Sequence, residues 1–303
     1  MNNKSLLLIH ADAHKNWVFD DQHPTQGRRY INAYRKLLEL ANKAKVEIVE
    51  IEPRVATVEE LLLVHNKEFI DSVVLEYQPV VWSGRRKDLS HLALLFAGGT
   101  LTALEHLIAG QSKSAIHFPG AKHHAQHEYS SGFCVFNDFA IAADIATKVY
   151  NKKVAILDID GHHGDGTENL TKTNSKVITY SIHHFGIFPG TGKNDELEFG
   201  IYNDALTYGD GDEKLRFGVD RFINLAKQFE AEIVFLAVGA DGHAEDPLTG
   251  LNYSVQDITA VCAKIRNEFL SLPILMGGAG GYLPDTRTPE VWANAARALA
   301  GEK

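Results

Sequence analysis

A short apolar strand runs directly into acids, histidines and glycines in the stretch Val154-Ala155-Ile156-Leu157-Asp158-Ile159-Asp160-Gly161-His162-His163-Gly164-Asp165-Gly166. In an open parallel α/β sheet, a strand that ends in this way delivers polar side chains to the crevice at the carboxyl ends of the strands. Asp160 and His162 are two residues apart, so they point to the same side of an extended chain. A carboxylate and an imidazole together form the beginning of a metal site. From this stretch alone, the alternative is a helix N-terminus that carries acids and a glycine turn.

Strand and helix patterns alternate along the whole chain. Further apolar strand patterns lie at Leu6–His10, Val46–Ile51, Ala115–Phe118, Val177–Ile182, Ile233–Val238 and Ile274–Met276. Helical patterns lie at Arg29–Ala41, Lys67–Leu75, Leu89–Leu107, Asn137–Val149, Glu213–Phe229 and Ser254–Leu270. This alternation predicts a mostly parallel sheet covered on both faces, an α/β fold of three layers, α/β/α. No repeat or linker interrupts it, so residues 1–303 are expected to form a single domain.

Local signals refine a few of these elements. Thr57-Val58-Glu59-Glu60 is a capping-box pattern that predicts a helix through His65. Thr288-Pro289-Glu290 has the form of an N-cap followed by proline, which predicts the start of the last helix. Gly98-Gly99 lies inside a helical pattern, where glycine is unfavourable, so it indicates close packing against a neighbour. Phe185–Gly211 is interpreted as one long functional loop.

Composition excludes several classes of function. The net charge is −9 and no basic stripe is present, which argues against direct nucleic-acid binding. No apolar run reaches the ~18 residues of a membrane span, so no membrane association is expected. The two cysteines, Cys134 and Cys262, lie far apart and in no motif, which predicts a reducing compartment and a cytoplasmic location. The sequence leaves the oligomeric state open.

Four loops that follow separate strands carry unusual polar residues. Parallel strands place these loops at one edge of the sheet, so their side chains can converge. Asp160, His162 and Asp241 would then give a metal three protein ligands and leave one coordination position open, as a catalytic site requires. Two carboxylates and one imidazole suit Zn²⁺ but also Fe²⁺ or Co²⁺. For Asp241 alone, a turn or N-cap acid is the alternative.

The other two loops carry His123-His124 and Tyr282. A histidine is a natural general base, and it needs a partner on its second nitrogen, for which Asp158 and Asp165 are available. A phenol can donate a hydrogen bond to a developing oxyanion. Taken alone, the histidine pair is more typical of a surface or core pair, and the tyrosine of an ordinary buried residue.

Three other features resemble binding sites but are assigned structural roles. His10, Asp12 and His14 alternate like ligands, yet the chain continues into a loop with no further ligand. His163 lies beside the predicted ligands but is interpreted as structural. Gly277–Gly281 resembles an anion-binding turn, but no lysine or helix start of the phosphate-loop type follows it.

Taken together, the motifs resemble the zinc-dependent deacetylases of the arginase/deacetylase fold: histone deacetylases, acetylpolyamine amidohydrolases and acetoin-utilisation proteins. The similarity covers nearly the whole chain, with the motifs in the family's order. The sequences of these motifs are most similar to those of bacterial or class-IV-like members. The matching segments are His23-Pro24 with Arg29, Val64-His65, Phe118-Pro119-Gly120 with His123-His124-Ala125, Ser131–Cys134 with Asn137-Asp138, Asp158–Gly166, Phe188–Gly192, Gly239-Ala240-Asp241 with Asp246-Pro247-Leu248, and Gly277–Tyr282.

The resemblance implies a role for each matching site residue. His124, paired with Asp165, is implied to be the general base and then the general acid. His123, paired with Asp158, is implied to be its electrostatic partner, and Tyr282 the oxyanion donor. Asp160, His162 and Asp241 are implied to bind zinc.

The resemblance also implies a substrate path and a second ion. Gly132, Phe133 and Phe188 are implied to line a narrow tunnel, and Arg29 to lie near a channel for the released acid. A structural K⁺ or Na⁺ ion is implied around Asp158, Asp160, His162, Ser181 and Ile182. The implied reaction is hydrolysis of the amide in an acylated lysine, an acylated amine or an acetylpolyamine.

Two departures from the family pattern bear on the substrate. Lys122 precedes the histidine pair, where a small or aromatic residue is expected, and it is interpreted as changing the rim of the tunnel. No acid in Tyr77–Ser83 matches the rim carboxylate that holds a peptide backbone in protein deacetylases. A peptide substrate is therefore less expected than in that group, and longer acyl groups stay open.

Two other functions compete with an amidohydrolase. The first is a binuclear manganese ureohydrolase on the same fold, since Asp158, Asp160, His162 and Asp165 could serve two metals. Against it, only one acid follows the strand that ends at Val238. The second is a non-catalytic acyl-amine-binding relative, which the intact histidine pair and tyrosine argue against.

Overall fold

The computed structural model describes residues 5–301, which are built around a single parallel sheet of eight strands. The strand order is β2-β1-β3-β8-β7-β4-β5-β6, and every neighbouring pair is parallel. The strands are β1 Ser5–Ile9, β2 Glu47–Ile51, β3 Ser114–His117, β4 Val154–Asp158, β5 Val177–His184, β6 Ile201–Leu206, β7 Ile233–Ala237 and β8 Ile274–Gly277. The predicted α/β fold with a parallel central sheet is confirmed.

Helices flank this sheet in two groups of mutually packed elements. One group joins α9 to α1 and α8, and α8 to α7; the other joins α4 to α3 and α5, and α5 to α6. The helices are α1 Arg28–Ala44, α2 Val58–Leu61, α3 Lys67–Val74, α4 Lys87–Ile108, α5 Asp138–Lys148, α6 Asp165–Thr171, α7 Asp212–Gln228, α8 Val255–Glu268 and α9 Arg287–Ala298.

Strand β4 lies in the interior of the sheet, between β7 and β5. All five of its residues are buried, as are those of β7, because helices cover both faces of these strands. A strand with no solvent-facing side shows a continuous apolar run rather than alternation, which explains the pattern at Val154–Leu157. The polar residues that follow β4 therefore emerge from the middle of the sheet edge.

The long helix α4 is the one described helix that is apolar and long enough to cross a membrane, but most of it is buried inside the fold. Its two glycines allow the close packing predicted from the sequence. A Cβ atom on Gly98 would collide with the backbone of Arg54, and one on Gly99 would come within 2.5 Å of Nε2 of His117. The helix is therefore part of the core.

The predicted loop Phe185–Gly211 was only partly right, since it contains a short 3-10 helix, Leu197–Phe199, and the edge strand β6. This strand escaped prediction because only alternate or terminal residues such as Ile201 and Leu206 are buried, while the polar Asp204 lies between them. An edge strand with few buried side chains carries a weak apolar signal.

Two predicted helix boundaries were wrong. The last helix, α9, begins at Arg287, and the hydroxyl of Thr288 accepts a hydrogen bond from the backbone of Leu283 instead of capping a helix. The capping box at Thr57 and Glu60 is present, but α2 ends at Leu61 and the chain continues in turns. A cap determines where a helix starts and says little about its length.

Candidate active site

The loop after β4 is shaped by hydrogen bonds from its own backbone to its acids. Oδ1 of Asp158 accepts from the backbone N–H of Asp160 at 3.0 Å, and Oδ1 of Asp160 accepts from the N–H of His162 at 2.9 Å. These bonds stabilise a tight turn directly after the strand. As a result, Asp160 and His162 both reach the crevice at the carboxyl edge.

Asp160, His162 and Asp241 form a buried cluster, and one ligand atom of each lies within 4.8 Å of the others. Nδ1 of His162 lies 2.8 Å from Oδ2 of Asp241 and 3.2 Å from Oδ1 of Asp160. Among residues 5–301, no other group of three His, Cys, Asp or Glu side chains converges in this way. The set offers oxygen and nitrogen donors that suit Zn²⁺ and similar divalent ions.

Two glycines make room for Asp160. A Cβ atom on Gly239 would lie 2.5 Å from the Cα of Asp160, and one on Gly280 would lie 2.6 Å from its Oδ2. The N–H of Gly280 also donates to that Oδ2 at 2.6 Å. The glycines after β7 and β8 therefore serve close approach to the ligand.

The charges in this cluster are arranged for a cation. Burial lowers the pKa of His162, but Asp160 and Asp241 outweigh it and raise the pKa to about 11. Burial, together with the charge of Asp160, raises the pKa of Asp241 to about 6. Two buried carboxylates this close repel each other unless a positive charge lies between them. The residues present therefore fit a divalent metal ion.

The histidine pair lies beside this cluster, and each ring has its own carboxylate. Nδ1 of His123 lies 2.7 Å from Oδ2 of Asp158, and Nδ1 of His124 lies 2.7 Å from Oδ1 of Asp165. The two ring centres are 4.0 Å apart. Each pairing leaves Nε2 as the nitrogen available for chemistry.

The loop that carries the pair bends at Ala121, which has a φ of 63°. Gly132 has a φ of 52°, and a Cβ atom there would lie 2.6 Å from Cγ of His124. The N–H of Thr167 in α6 donates to the carbonyl of His123 at 2.9 Å. The start of α6 therefore holds the loop as well as supplying Asp165.

The two histidines have opposite proton affinities. Burial lowers the pKa of His123, but Asp158 and Asp160 outweigh it and raise the pKa to about 9. Burial and the charge of His123 lower the pKa of His124 to about 4. These opposite shifts favour a protonated His123 and a neutral His124 that can accept a proton.

Tyr282 lies after β8 and is anchored through its backbone. Its N–H donates to Oδ2 of Asp246 at 2.8 Å, and Oδ1 of the same carboxylate accepts from Leu248 at 3.0 Å. Burial, together with the charges of Asp241 and Asp160, raises the pKa of the Tyr282 phenol well above its usual value. The phenol therefore stays protonated and can donate a hydrogen bond.

A pocket of about 370 Å³ reaches the cluster at His162. The predicted residues Gly132, Phe133 and Phe188 lie in its wall, together with His124, His162 and Tyr282. Three wall residues were missed by sequence analysis: Trp82, Ile187 and Leu248.

Trp82 stands in a 3-10 helix, Val81–Ser83, within the segment that was searched for an acid. Its ring stacks on His23 at 5.3 Å and meets Phe133 edge-on at 6.5 Å. The tryptophan in that segment was a signal that the sequence offered, but tertiary packing determines whether such a side chain reaches a pocket.

The residues predicted for a monovalent ion lie at the ends of β4 and β5. Asp158 and Ser181 are partners in the pairing of these strands, and both border a second, very small cavity. The hydroxyl of Ser181 shares a hydrogen bond of 2.9 Å with Nδ1 of His183. Ile182 is fully buried, so its side chain lies in the core.

Arg29 and Lys122 both lie behind the pocket. Nη1 of Arg29 donates to the carbonyl of Gly281 at 2.7 Å, and its guanidinium carbon lies 5.9 Å from the centre of the Tyr282 ring. Lys122 is only 5% exposed and contacts Tyr30, so the interpretation that it changes the tunnel rim was wrong. The sequence could not show to which side of the bent loop this side chain turns.

The residues assigned structural roles occupy structural positions. Nδ1 of His163 lies 2.7 Å from the hydroxyl of Thr191, and its Nε2 lies 2.9 Å from Glu168. This pairing ties the loop after β5 to α6. His14 is buried, with its ring 5.7 Å from that of His117, while Asp12 points to solvent.

The fold and the buried three-residue cluster beside a histidine pair define a metal-dependent hydrolase. Comparison with known proteins gives the family: residues 23–299 match the histone deacetylase domain, so this chain belongs to the histone deacetylase family. It is accordingly a deacetylase, a hydrolase that acts on linear amide bonds.

Curated relatives support this assignment along most of their length. The chain is 30% identical to acetoin utilization protein AcuC of Staphylococcus aureus (strain MRSA252), over 94% of this chain and 79% of the relative. It is 30% identical to AcuC of Bacillus subtilis (strain 168), over 95% and 80%. It is 31% identical to histone deacetylase 8 of Xenopus tropicalis, over 93% and 82%.

Proposed function

We propose that the protein removes acetyl or other acyl groups from lysine side chains or related amines. Asp160, His162 and Asp241 would hold Zn²⁺, with Fe²⁺ or Co²⁺ as alternatives, and the Asp158–Ser181 region would hold a structural K⁺ or Na⁺ ion. The observation that carries the proposal is that His162, a member of the buried ligand cluster, lines the same pocket as His124 and Tyr282. When bound, the divalent ion supplies Lewis-acid polarisation of the amide carbonyl and of water.

Three other side chains supply proton transfer and stabilisation of negative charge in this proposal. Neutral His124, oriented by Asp165, takes a proton from the attacking water through Nε2 and then gives it to the leaving amine nitrogen. His123 remains the cation beside it and stabilises negative charge in the pocket. Tyr282 donates its phenol hydrogen to the carbonyl oxygen as that oxygen becomes negative.

The pocket wall supports a substrate with an extended apolar arm. Phe133, Phe188, Trp82 and Leu248 offer apolar surface to a methylene chain such as that of lysine or a polyamine. None of the residues that line the pocket is an acid. The wall therefore favours a substrate with an apolar arm, and none of its residues offers a carboxylate to bind a peptide backbone.

Two further expectations belong to this proposal. The chain works as one domain, which the single eight-stranded sheet supports. Its place is the cytoplasm, which the two buried, unpaired cysteines support because they suit a reducing compartment.

The function is tested by offering zinc-loaded protein a panel of acetyl-lysine peptides, acetylated polyamines and longer acyl-lysines. Release of free amine from at least one class is the expected result. Absence of turnover on every class, by protein that carries one zinc per chain, would overturn the proposal.

A further inference from the structure

Two buried cations share one phenol behind the active site. Arg29 and Lys122 are 3% and 5% exposed. Nη2 of Arg29 donates to the hydroxyl oxygen of Tyr30 at 3.0 Å, and Nζ of Lys122 donates to the same atom at 3.3 Å. We call Arg29, Tyr30 and Lys122 the inner cationic cluster.

No acid forms a close ion pair with this cluster among residues 5–301, although the carboxylate of Asp138 is near enough to Lys122 to interact with its charge. Neither Arg29 nor Lys122 forms an ion pair there, and Nε of Arg29 has no hydrogen-bond partner. The nearby carboxylate of Asp138 is already engaged by the backbone of Ala121 and Lys122 and by the hydroxyl of Thr100. Buried charges are costly unless they are paired. The cluster therefore has the properties of a site that receives an anion.

The cluster adjoins the reacting groups. Arg29 holds the carbonyl of Gly281, the residue before Tyr282, and its guanidinium faces the Tyr282 ring. Lys122 directly precedes His123 in the same bent loop, and its ammonium lies 5.3 Å from the centre of the Phe96 ring, inside the fold. The cluster therefore adjoins the catalytic residues from the interior of the fold and is not part of the pocket wall.

The orientation of a bound amide follows from this arrangement. The mouth of the pocket carries the exposed rings of Trp82 and Phe188, so the amine arm of the substrate leaves in that direction. The acyl arm is attached on the other side of the carbonyl carbon. It therefore points inward, towards Arg29 and Lys122.

Building on the deacylase function proposed above, we propose that the inner cationic cluster binds the far end of an acyl group that carries a carboxylate. The substrate class is an amine acylated with a short dicarboxylic acid, such as a succinyl- or glutaryl-lysine, and Lys122 determines this specificity. Water adds to the acyl carbon, the amide C–N bond breaks, the amine nitrogen takes a proton, and a free dicarboxylate leaves.

The test compares acyl groups of similar size with and without the distal charge. Zinc-loaded protein is given the same peptide with acetyl-, butyryl- or succinyl-lysine. The expected result is a higher kcat/KM for succinyl than for butyryl, and a fall in this ratio of about 10- to 100-fold in Lys122→Met, the loss of one charge-assisted hydrogen bond. Lys122→Arg should restore much of the ratio, and Lys148→Met, an exposed control on α5, should leave it unchanged.

Binding without turnover gives a second readout. Calorimetry should show that succinate binds the wild-type protein more tightly than butyrate does, and that Lys122→Met loses this preference. If Lys122→Met does not fold, the comparison of the two acids on the wild-type protein still tests the proposal. Equal binding of both acids, weakened equally by the substitution, would mean that the cluster holds only the carboxylate formed by hydrolysis, and would overturn the proposal. A succinyl-to-butyryl ratio of one or below in an enzyme active on acetyl-lysine would overturn it too. Inactivity on all three peptides and on acetylated polyamines would instead contradict the deacylase function itself.

Discussion

Asp246 holds Tyr282 by its backbone: the N–H of Tyr282 donates to Oδ2 of Asp246 at 2.8 Å. The other oxygen of the same carboxylate accepts from the N–H of Leu248 at 3.0 Å. One side chain thus holds the backbone of both Tyr282, the proposed oxyanion donor, and Leu248, a residue of the apolar pocket wall. We infer that Asp246 is a positioning residue that acts through Tyr282.

Replacing Asp246 by Asn should lower kcat by about tenfold, because an amide offers only one acceptor oxygen for two backbone donors. In a Tyr282→Phe background, the same replacement should have little further effect on kcat, since the group being positioned is already gone. Steady-state kinetics on the four proteins of this cycle measure the coupling. Fully additive losses would show that Asp246 does not act through Tyr282.

Removing the phenol hydroxyl should itself slow catalysis strongly. Tyr282→Phe should lower kcat by ~10² or more, as for loss of an oxyanion donor, while substrate binding changes little. The phenol is well placed for this role because its raised pKa keeps it protonated. Turnover and substrate affinity are measured separately, in zinc-loaded protein. An unchanged kcat would remove Tyr282 from the mechanism.

A metal-binding experiment should distinguish the proposed metal ligands from the proposed general base. His124→Ala should retain one zinc per chain and lose turnover, because His124 lies outside the cluster of Asp160, His162 and Asp241. Asp241→Ala should lose both. Metal content by elemental analysis, beside activity after chelation and zinc return, provides the measurement. Two metals per active chain would favour a binuclear enzyme instead.

The candidate site could be predicted largely from the sequence because its chemistry is local. Asp160 and His162 follow a buried strand and are two residues apart, and Asp241 comes shortly after another such strand. Parallel strands then bring the loops together without further information. The resemblance to a family supplied the individual roles, which remain predictions.

The predictions that were wrong or missing concern features that depend on tertiary packing. Lys122 was placed at the rim because the direction of a side chain in a bent loop is set by the turn at Ala121, which no local pattern indicates. Trp82 was missed because its place in the pocket wall depends on stacking against the distant His23. Strand β6 was missed because it lies at the sheet edge, contains the polar residues Asn203 and Asp204, and buries few apolar side chains.

His65 should make the stability of the fold depend on acid pH. It is 1% exposed, its Nε2 accepts from the N–H of Asn137 at 3.0 Å, and its Nδ1 donates to the carbonyl of Gln126 at 2.8 Å. Burial lowers its pKa to about 4, and a proton on Nε2 would face the N–H of Asn137. The folded protein therefore resists protonating this ring.

The direction of the effect follows from proton linkage. Between pH 6.5 and about 4, His65 binds a proton in the unfolded chain but not in the folded protein. The free energy of unfolding therefore falls as the pH falls through this range. The contribution is about 1.4 kcal/mol per pH unit in that window and is fully present above pH 6.5. Urea unfolding of metal-free wild type and His65→Gln at pH 7, 6 and 5 isolates it. The gap between the two proteins should shrink as the pH is lowered, because only the wild type carries this titration; a gap that stays constant or widens would show that His65 is not held neutral by its surroundings.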